Sequence, residues 1–401
     1  MAMRRAMRLR QNISRLARQL KGRMQAKPSH PRTGAPPSLN SAGSVLFFKK
    51  DGIGDFVLST TFLDPCYESY PESRFTLLCN ELFADLARHL YPRWNISPFP
   101  NLNQKGRLPL FGGEIRRLIQ ALPHHELLVD LRTYRHVTDS VLSSWLPADW
   151  KLSIENQITS PSLAYNGENR IYHKILTSHH RKHPNEVFQL CKNIEDFQEF
   201  STQLLPGSPS RLPHLNFRIT PESMPSFLPD PLDGIVLAPC AGSKLREYPL
   251  DSLIQIAHKS AQQHDLPLII LGGAGDRPRI DEALKKSESH RDSRTINACG
   301  LLSLAQSAWL MRHARGVLAV ESGLAHIAIA MERPTVVLIG GGHYGLFAPW
   351  GYRRSTRWLT RHLPCFGCNW CCSLDQPHCI RDISPKEIES ALDELMGRSQ
   401  N

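Results

Sequence analysis

A carboxylate directly follows an apolar stretch that has the character of a buried strand. Residues Gly316 to Val320 are small or apolar, Glu321 ends this run, and helical spacing of small and apolar residues begins at Gly323. At the carboxyl end of a strand in an open α/β sheet, such a carboxylate faces the crevice where ligands bind. It could accept hydrogen bonds from sugar hydroxyls, and the free amides of the following helix suit a phosphate. The same residues also allow a simpler interpretation, in which Glu321 caps the helix and His326 belongs to the core.

A second loop of this kind follows the strand predicted at Val45–Phe48. Its sequence is Lys49-Lys50-Asp51-Gly52-Ile53-Gly54-Asp55, and helical sequence continues from Phe56 to Leu63. The two glycines allow the backbone to approach a ligand closely. Asp55 lies where the helix opens, so it is either an ordinary N-cap or a carboxylate that faces a cleft.

A third loop between a strand and a helix carries basic residues. The strand predicted at Gly234–Ala238 leads into a segment that contains Ser243, Lys244 and Arg246, and helical sequence begins at Leu250. Cations and backbone amides ahead of a helix suit a diphosphate. A solvated turn would have the same composition, so both interpretations remain open from this loop alone.

Strand-like and helix-like segments alternate along both halves of the chain. Residues 151–215 appear polar and irregular, and seven prolines between 206 and 231 indicate a connection between domains. The alternation predicts an α/β protein with two Rossmann-like domains that face each other across a cleft, at residues 45–215 and 216–401. Further strands are predicted at Phe75–Cys79, Glu126–Leu131, Leu268–Leu271 and Val336–Ile339.

The net charge of +11 is concentrated at the N-terminus. Residues 1–50 contain 12 of the 48 lysines and arginines and none of the 37 acidic residues, so residues 51–401 balance to −1. This distribution argues against nucleic-acid binding by the body of the protein. Residues 28–44 are rich in Pro, Ser and Gly, as is typical of a linker, which makes residues 1–44 a basic arm.

The first 27 residues have the pattern of a basic amphipathic helix. Apolar side chains recur at helical spacing among arginines, which predicts contact with an anionic membrane surface. A mitochondrial transit peptide and a disordered tail are the alternatives. No apolar run approaches the roughly 20 residues of a membrane-spanning helix. The apolar positions are Leu9, Ile13, Leu16, Leu20 and Met24.

Five of the ten cysteines cluster near the C-terminus with C-x₂-C-x₂-C spacing. Because no secretory signal peptide precedes them, reduced thiols in a cytosol are expected. The spacing permits a structural zinc site or, with less support, an iron–sulfur cluster; packed, reduced thiols are the alternative. A basic patch with His179, His180 and His183 lacks metal-ligand spacing. The clustered residues are Cys365, Cys368, Cys371, Cys372 and Cys379.

In their order and spacing, these loops resemble glycosyltransferase family 9, the ADP-heptose:lipopolysaccharide heptosyltransferases of bacteria. The resemblance implies a fold of the GT-B type, with the acceptor bound mostly by the first domain and the nucleotide-sugar donor by the second. It extends from Val45 to about Met396 and rests on Lys49–Leu63, His183-Pro184-Asn185-Glu186, Ser243–Pro249, and Glu321–Ala330 with Gly340.

The resemblance also implies roles for individual residues. Asp55 matches the proposed catalytic base of the family, with Asp51 as a second candidate beside Lys50 and Gly54 in the acceptor-side loop. Arg246 replaces the usual Lys and Glu321 the usual Asp, so the identity of the donor is the property that these departures affect most. The implied donor contacts are Ser243, Lys244, Arg246, Glu321, Ser322, Gly323 and His326.

The implied activity is an inverting sugar transfer. The simplest version moves heptose from ADP-heptose onto a lipopolysaccharide-core or related lipid-linked glycan, with no cofactor required for transfer. The arm then suits a peripheral enzyme on the cytoplasmic face of the bacterial inner membrane. A nucleotide-sugar epimerase of the same architecture and a non-catalytic nucleotide-sugar-binding protein are the alternatives.

Overall fold

Two parallel β-sheets, one from each half of the chain, form the frame of the computed structural model. The predicted arm up to residue 33, the three histidines at 179, 180 and 183, and His183–Glu186 lie outside the described residues. None of the helices in the described part has both the length and the apolar character needed to cross a bilayer. The structure describes residues 34–70, 74–101, 113–135, 137–155, 170–177, 191–218, 220, 224–286 and 292–398.

The first sheet has six parallel strands in the order β3-β2-β1-β4-β5-β6. The chain adds β2 and β3 on one side of β1 and then returns to add β4, β5 and β6 on the other side, so the strand order reverses between β1 and β4. Ligands of open α/β sheets bind at such switch points. The strands are Val45–Lys49 (β1), Phe75–Asn80 (β2), Asn95–Phe99 (β3), His125–Asp130 (β4), Ala148–Ile154 (β5) and Lys174–Leu176 (β6). The helices are Ile53–Ser69 (α1), Glu81–Leu90 (α2), Gly113–Ala121 (α3), Val137–Trp145 (α4) and Lys192–Leu204 (α5).

The second sheet repeats this topology with the order β12-β11-β10-β7-β8-β9. Its switch point lies between β7 and β10. The strands are Ile235–Ala238 (β7), Leu268–Ile270 (β8), Thr295–Asn297 (β9), Gly316–Val320 (β10), Thr335–Leu338 (β11) and Thr356–Leu359 (β12). The helices are Leu250–Gln263 (α6), Arg277–Lys285 (α7), Leu304–His313 (α8), Gly323–Ala330 (α9), His378–Arg381 (α10) and Pro385–Arg398 (α11).

The predicted α/β architecture with two Rossmann-like halves is therefore confirmed. The strands follow from short apolar runs such as Val45–Phe48 and Gly316–Val320, which are buried along their whole length. The division into domains at residue 215 lies in the connection between the two sheets and stays a prediction.

The prediction of an irregular segment at 151–215 is wrong in its described parts. Strand β5 continues to Ile154, β6 follows, and α5 covers Lys192–Leu204. Their patterns are present in the sequence: Trp150, Leu152 and Ile154 alternate as in a strand. In α5, apolar residues recur every three positions and pack on the first domain's core. Polar residues between them conceal both patterns.

The two halves touch where the first turns of α1 and α9 meet. A Cβ atom on Gly323 would lie 2.6 Å from Cβ of Ile53, and a Cβ on Gly54 would lie 2.8 Å from Cδ2 of His326. Real Cβ atoms do not approach other atoms so closely, so both glycines are required by this contact. A second junction lies nearby, where the amide of Lys192 donates to the carbonyl of Gly345 over 2.9 Å.

Substituting Gly323 by Ala should lower the free energy of unfolding by about 1–3 kcal/mol, because the added methyl group overpacks the contact with Ile53. Denaturant titration of the variant beside the wild type measures the change. Gly275→Ala is the matched control, since nothing lies within 4 Å of a Cβ at that position. Equal stability of the Gly323 variant and the wild type would contradict this account of the junction.

Candidate functional site

A cavity of about 870 Å³ lies between the two sheets, at their carboxyl edges. Residues of the first half reach it from the first turn of α1, including Gly54 and Asp55. Residues of the second half reach it from the ends of β7, β8, β10 and β11. The cavity therefore combines the loops that the sequence analysis singled out, and its lining includes Ser243, Arg246, Glu321, Ser322, Gly323 and His326.

Asp55 is the third residue of α1 and not its N-cap, which is Gly52. Its Oδ2 atom accepts a hydrogen bond from the Gly52 amide over 3.2 Å, which turns the carboxylate back toward the cavity. Desolvation in the cleft raises the pKa of Asp55, the charge of Lys49 lowers it in part, and the charge of Asp51 raises it further. A carboxylate with a raised pKa is a stronger base than a solvated aspartate, which suits proton abstraction.

Glu321 follows β10 and is buried beside Arg246 and His326. Its Oε2 atom lies 3.2 Å from Nη1 of Arg246, and its Oε1 atom lies 3.8 Å from Nε2 of His326. Burial alone would raise the pKa of Glu321, but the N–H of His326 that points toward it and the hydrogen bond and charge of Arg246 outweigh burial and hold this pKa below its usual range. Glu321 is therefore an ionised hydrogen-bond acceptor in the floor of the cavity.

The orientation of His326 is fixed by Trp350, a residue that the sequence analysis missed. The buried indole donates its Nε1–H to Nδ1 of His326 over 2.8 Å. Because an indole can only donate, Nδ1 carries no proton, and the neutral ring holds its proton on Nε2. That N–H faces Oε1 of Glu321 across 3.8 Å, which is longer than a hydrogen bond. No local pattern could reveal Trp350, which lies 24 residues further along the chain.

The loop after β7 brings Arg246 into the cavity and leaves Lys244 outside. Ser243 caps the short 3₁₀ turn Lys244–Arg246, accepting from the Leu245 amide over 3.4 Å. Lys244 is exposed and does not line the cavity. The loop is fixed from behind by Glu247, which binds the guanidinium of Arg279 through both oxygens at 3.1 and 2.5 Å.

The first turn of α9 offers unused hydrogen-bonding groups to the cavity. Ser322 is the N-cap of this helix, but its hydroxyl makes no capping bond and, among the described residues, has no hydrogen-bond partner. Amides at the start of a helix lack intrahelical acceptors and carry partial positive charge. Together with Arg246, this turn can stabilise an anion such as a diphosphate.

Two residues of the predicted acceptor-side loop do not line the cavity. Nζ of Lys50 lies 2.7 Å from Oδ1 of Asp139, and Oδ2 of Asp51 lies 2.9 Å from Nζ of Lys49. Lys49 is completely buried and also donates to the carbonyl of Leu131 over 3.0 Å. Lys49, the last residue of β1, is a residue to which sequence reasoning gave no role. Its charge lowers the pKa of Asp55 from a buried position outside the cavity.

The cysteine cluster shows no assembled metal site. Within the described ranges, no group of three or more His, Cys, Asp or Glu side chains is arranged to hold a metal ion. Sγ of Cys379 accepts from the Gly341 amide over 3.3 Å, and all ten cysteines are free thiols. The zinc and iron–sulfur interpretations of Cys365, Cys368, Cys371, Cys372 and Cys379 therefore gain no support from this arrangement.

The family model of glycosyltransferase family 9 (heptosyltransferase) matches residues 163–371, which is more than half of the chain. The chain belongs to glycosyltransferase family 9. This family 9 protein is thus a glycosyltransferase enzyme. A search of curated protein sequences finds no significant match to it.

Solved structures of heptosyltransferases share its fold at low sequence identity. ADP-heptose lipopolysaccharide heptosyltransferase II of E. coli is 17% identical, with a TM-score of 0.62 over 89% of this chain and 100% of that chain. E. coli WaaC with ADP-2-deoxy-2-fluoro heptose is 15% identical, with a TM-score of 0.62 over 88% of this chain and 99% of that chain. The iron-containing dodecameric heptosyltransferase TibC of enterotoxigenic E. coli is 11% identical, with a TM-score of 0.51 over 89% and 77%.

The activity of this glycosyltransferase should rise with pH as Asp55 ionises, because only its ionised form accepts a proton. Burial raises the pKa of Asp55, so the midpoint of this rise should lie above the ordinary aspartate pKa of 3.8. Lys49→Met removes a positive charge that lowers this pKa, so the midpoint of the rise in activity should move to higher pH. Profiles of kcat/KM against pH measure both effects.

Lys259→Met is the control for the loss of a lysine, because Lys259 pairs with Glu389 on the surface of the second half, 2.6 Å away. Its profile should coincide with that of the wild type. If the midpoint of the pH–activity profile stays in place or moves to lower pH in Lys49→Met, the assignment of Asp55 as the titrating group is contradicted.

Proposed function

We propose that this family 9 enzyme is an inverting heptosyltransferase that moves heptose from ADP-heptose onto a lipopolysaccharide-core or related glycan. The observation that carries the proposal is the arrangement of charges across the cleft. Asp55, with a raised pKa, stands on the first half, while the ionised Glu321 beside Arg246 stands on the second. A candidate base on one side of the cavity and candidate anion-binding groups on the other support this proposal.

The reaction follows from these positions. Asp55 removes the proton of an acceptor hydroxyl as its oxygen attacks the anomeric carbon from the face opposite the diphosphate. A new C–O bond forms while the bond to the diphosphate oxygen breaks, which inverts the anomeric configuration. The nucleoside diphosphate leaves as an anion, and Arg246 and the first-turn amides of α9 stabilise the developing charge.

Glu321 is assigned to the sugar. It is ionised and partly screened by Arg246 and His326, so its free lone pairs are good acceptors for sugar hydroxyls. The unpartnered Ser322 hydroxyl beside it adds a second group that can bind the sugar or a phosphate oxygen. WaaC, which shares the fold, was solved with a fluorinated ADP-heptose, which favours the same donor here.

The basic arm supports a lipid-linked acceptor. Its arginines and helical apolar spacing suit an anionic membrane surface, which would hold the enzyme on the cytoplasmic face of the inner membrane. Cosedimentation of the full chain with vesicles that contain anionic lipid, but not with neutral vesicles, is the expected behaviour. Equal sedimentation with both would remove this location.

The donor is tested by calorimetry with ADP-heptose and with UDP- and GDP-sugars. We expect a clear preference for ADP-heptose. Glu321→Gln should weaken ADP-heptose binding by about 10- to 100-fold, since a charge-assisted bond to the sugar is lost. It should not weaken ADP binding, because the neutral side chain no longer competes with the diphosphate for Arg246. Preference for another nucleotide sugar would keep the transferase and replace the donor.

Asp55→Asn should reduce turnover by at least about 10²- to 10⁴-fold, because the amide cannot accept the acceptor proton, while ADP-heptose binding survives. Asp265→Asn is the matched control, since the exposed Asp265 pairs with Arg294 over 2.6 Å and does not line the cavity. It should retain most of the turnover.

Loss of donor binding in Asp55→Asn would show that Asp55 has only a structural role in the first turn of α1. Consumption of the donor by the wild type without an acceptor would instead favour the epimerase. Donor binding with no release of ADP, whatever the acceptor, would favour a non-catalytic binding protein.

A further inference from the structure

The Cys-rich segment is built onto the glycine turn that ends β11. The amide of Gly367 donates to the Gly341 carbonyl over 2.9 Å, and the amide of Asn369 donates to the Gly342 carbonyl over 3.0 Å. At Gly340, a Cβ atom would lie 2.7 Å from the ring of Trp370, so the indole rests directly on the backbone. The turn and the segment therefore form one unit at the edge of the cavity.

This unit delivers Trp370 into the wall of the cavity. The side chain is half-buried and lines the cleft beside His343. Its Nε1–H donates to Nδ1 of His343 over 3.2 Å, which leaves the His343 proton on Nε2 to be donated to Oδ1 of Asn369 over 2.6 Å. The indole is thus held at both its ring face and its polar edge.

The backbone at Trp370 is unusual for a bulky residue. Its φ is +58°, and that of Asn369 is +51°, so two successive residues adopt the left-handed conformation. Such a conformation is unfavourable for residues with a large side chain and persists where the surrounding structure imposes it, often at ligand sites. The strain here is used to point the indole into the cleft.

The order of strands indicates which part of the donor meets this wall. The cavity floor runs from β8 through β7 and β10 to β11, with Arg246 and Glu321 at the switch point in its middle. In sheets of this topology, the nucleoside lies toward the strand that corresponds to β8, where Gly272, Gly273 and Asp276 line the cavity. The sugar therefore extends toward β11 and Trp370.

The chemistry of the two surfaces matches. A pyranose ring has a face of C–H groups, and an aromatic ring buries such a face while the hydroxyl groups at the sugar's edge remain free for polar partners. Glu321 and Ser322 are the polar partners in the same cavity. An indole wall on one side and a carboxylate on another would distinguish sugars by the positions of their hydroxyls.

We propose, building on the donor assignment above, that the segment from Leu363 to Cys379 is a sugar-recognition wall, in which the face of the Trp370 ring opposite the glycine turn contacts the pyranose of the donor and selects it. Cys379 helps to pack this wall onto the glycine turn, because its Sγ accepts from the Gly341 amide. Trp370 is a specificity-determining residue of the transfer reaction.

The test compares binding of ADP and ADP-heptose to the wild type, Trp370→Ala and Trp370→Phe by calorimetry. Trp370→Ala should weaken ADP-heptose binding about tenfold, because the apolar contact with the sugar is lost, and should leave ADP binding within about twofold. Trp370→Phe keeps an aromatic face and should lose only about two- to threefold, which also tests the wall if the Ala variant does not fold.

Phe366→Leu is the matched control, because Phe366 packs the same segment onto Gly341 but does not line the main cavity. It should leave binding of both ligands unchanged. A selective loss of ADP-heptose binding in this control as well would reduce Trp370 to a packing role and overturn the proposal. An equal loss of ADP and ADP-heptose in Trp370→Ala would place the indole on the nucleotide and overturn it too.

The wild type separates this proposal from the proposed function. If it binds ADP but no nucleotide sugar, the donor assignment and the wall both fail. If it binds ADP-heptose and Trp370→Ala keeps the same affinity, the enzyme assignment stands and the wall alone fails.

Discussion

The site depends on the contact between the first turns of α1 and α9. This contact carries no side chain at Gly54 and Gly323, so the side chains of His326 and Ile53 pack directly against the glycine backbones of the opposite helix. The consequence is chemical as well as mechanical, because the contact brings Asp55 into the same cavity as Arg246 and Glu321. A base from one sheet and the anion-binding groups of the other are held in one cleft by packing that tolerates no extra methyl group.

Within that cleft, two carboxylates experience opposite environments. Asp55 loses solvent without an immediate cationic partner, so its pKa rises, while Glu321 gains His326 and Arg246, so its pKa falls. When the environments of two carboxylates shift their pKa values in opposite directions, the two groups suit different tasks, one in proton transfer and one in charge-assisted binding. Trp350 contributes to the environment of Glu321, because its indole binds Nδ1 of His326 and so leaves the protonated Nε2 facing Glu321.

Much of this could be predicted from the sequence, and the failures have physical causes. Glu321, Asp55 and Arg246 were recognisable because residues at the carboxyl ends of parallel strands converge on one edge. Lys244 lies outside the cavity, which composition could not reveal because it does not tell which side of a 3₁₀ turn faces the cleft. Lys50 also lies outside it and pairs with Asp139, a partner far along the chain. Trp350 and Trp370 reach the site only through tertiary packing, which leaves no local pattern.

The ion pair between Arg246 and Glu321 has a consequence for how a charged donor enters. A diphosphate that approaches Arg246 must share a guanidinium that already neutralises a carboxylate 3.2 Å away. Binding is therefore largely an exchange of one counter-charge for another, with little net charge neutralised. The affinity of this enzyme for its donor should depend less on ionic strength than the charge of a diphosphate alone suggests, because Glu321 already acts as the counter-ion of Arg246 in the free protein.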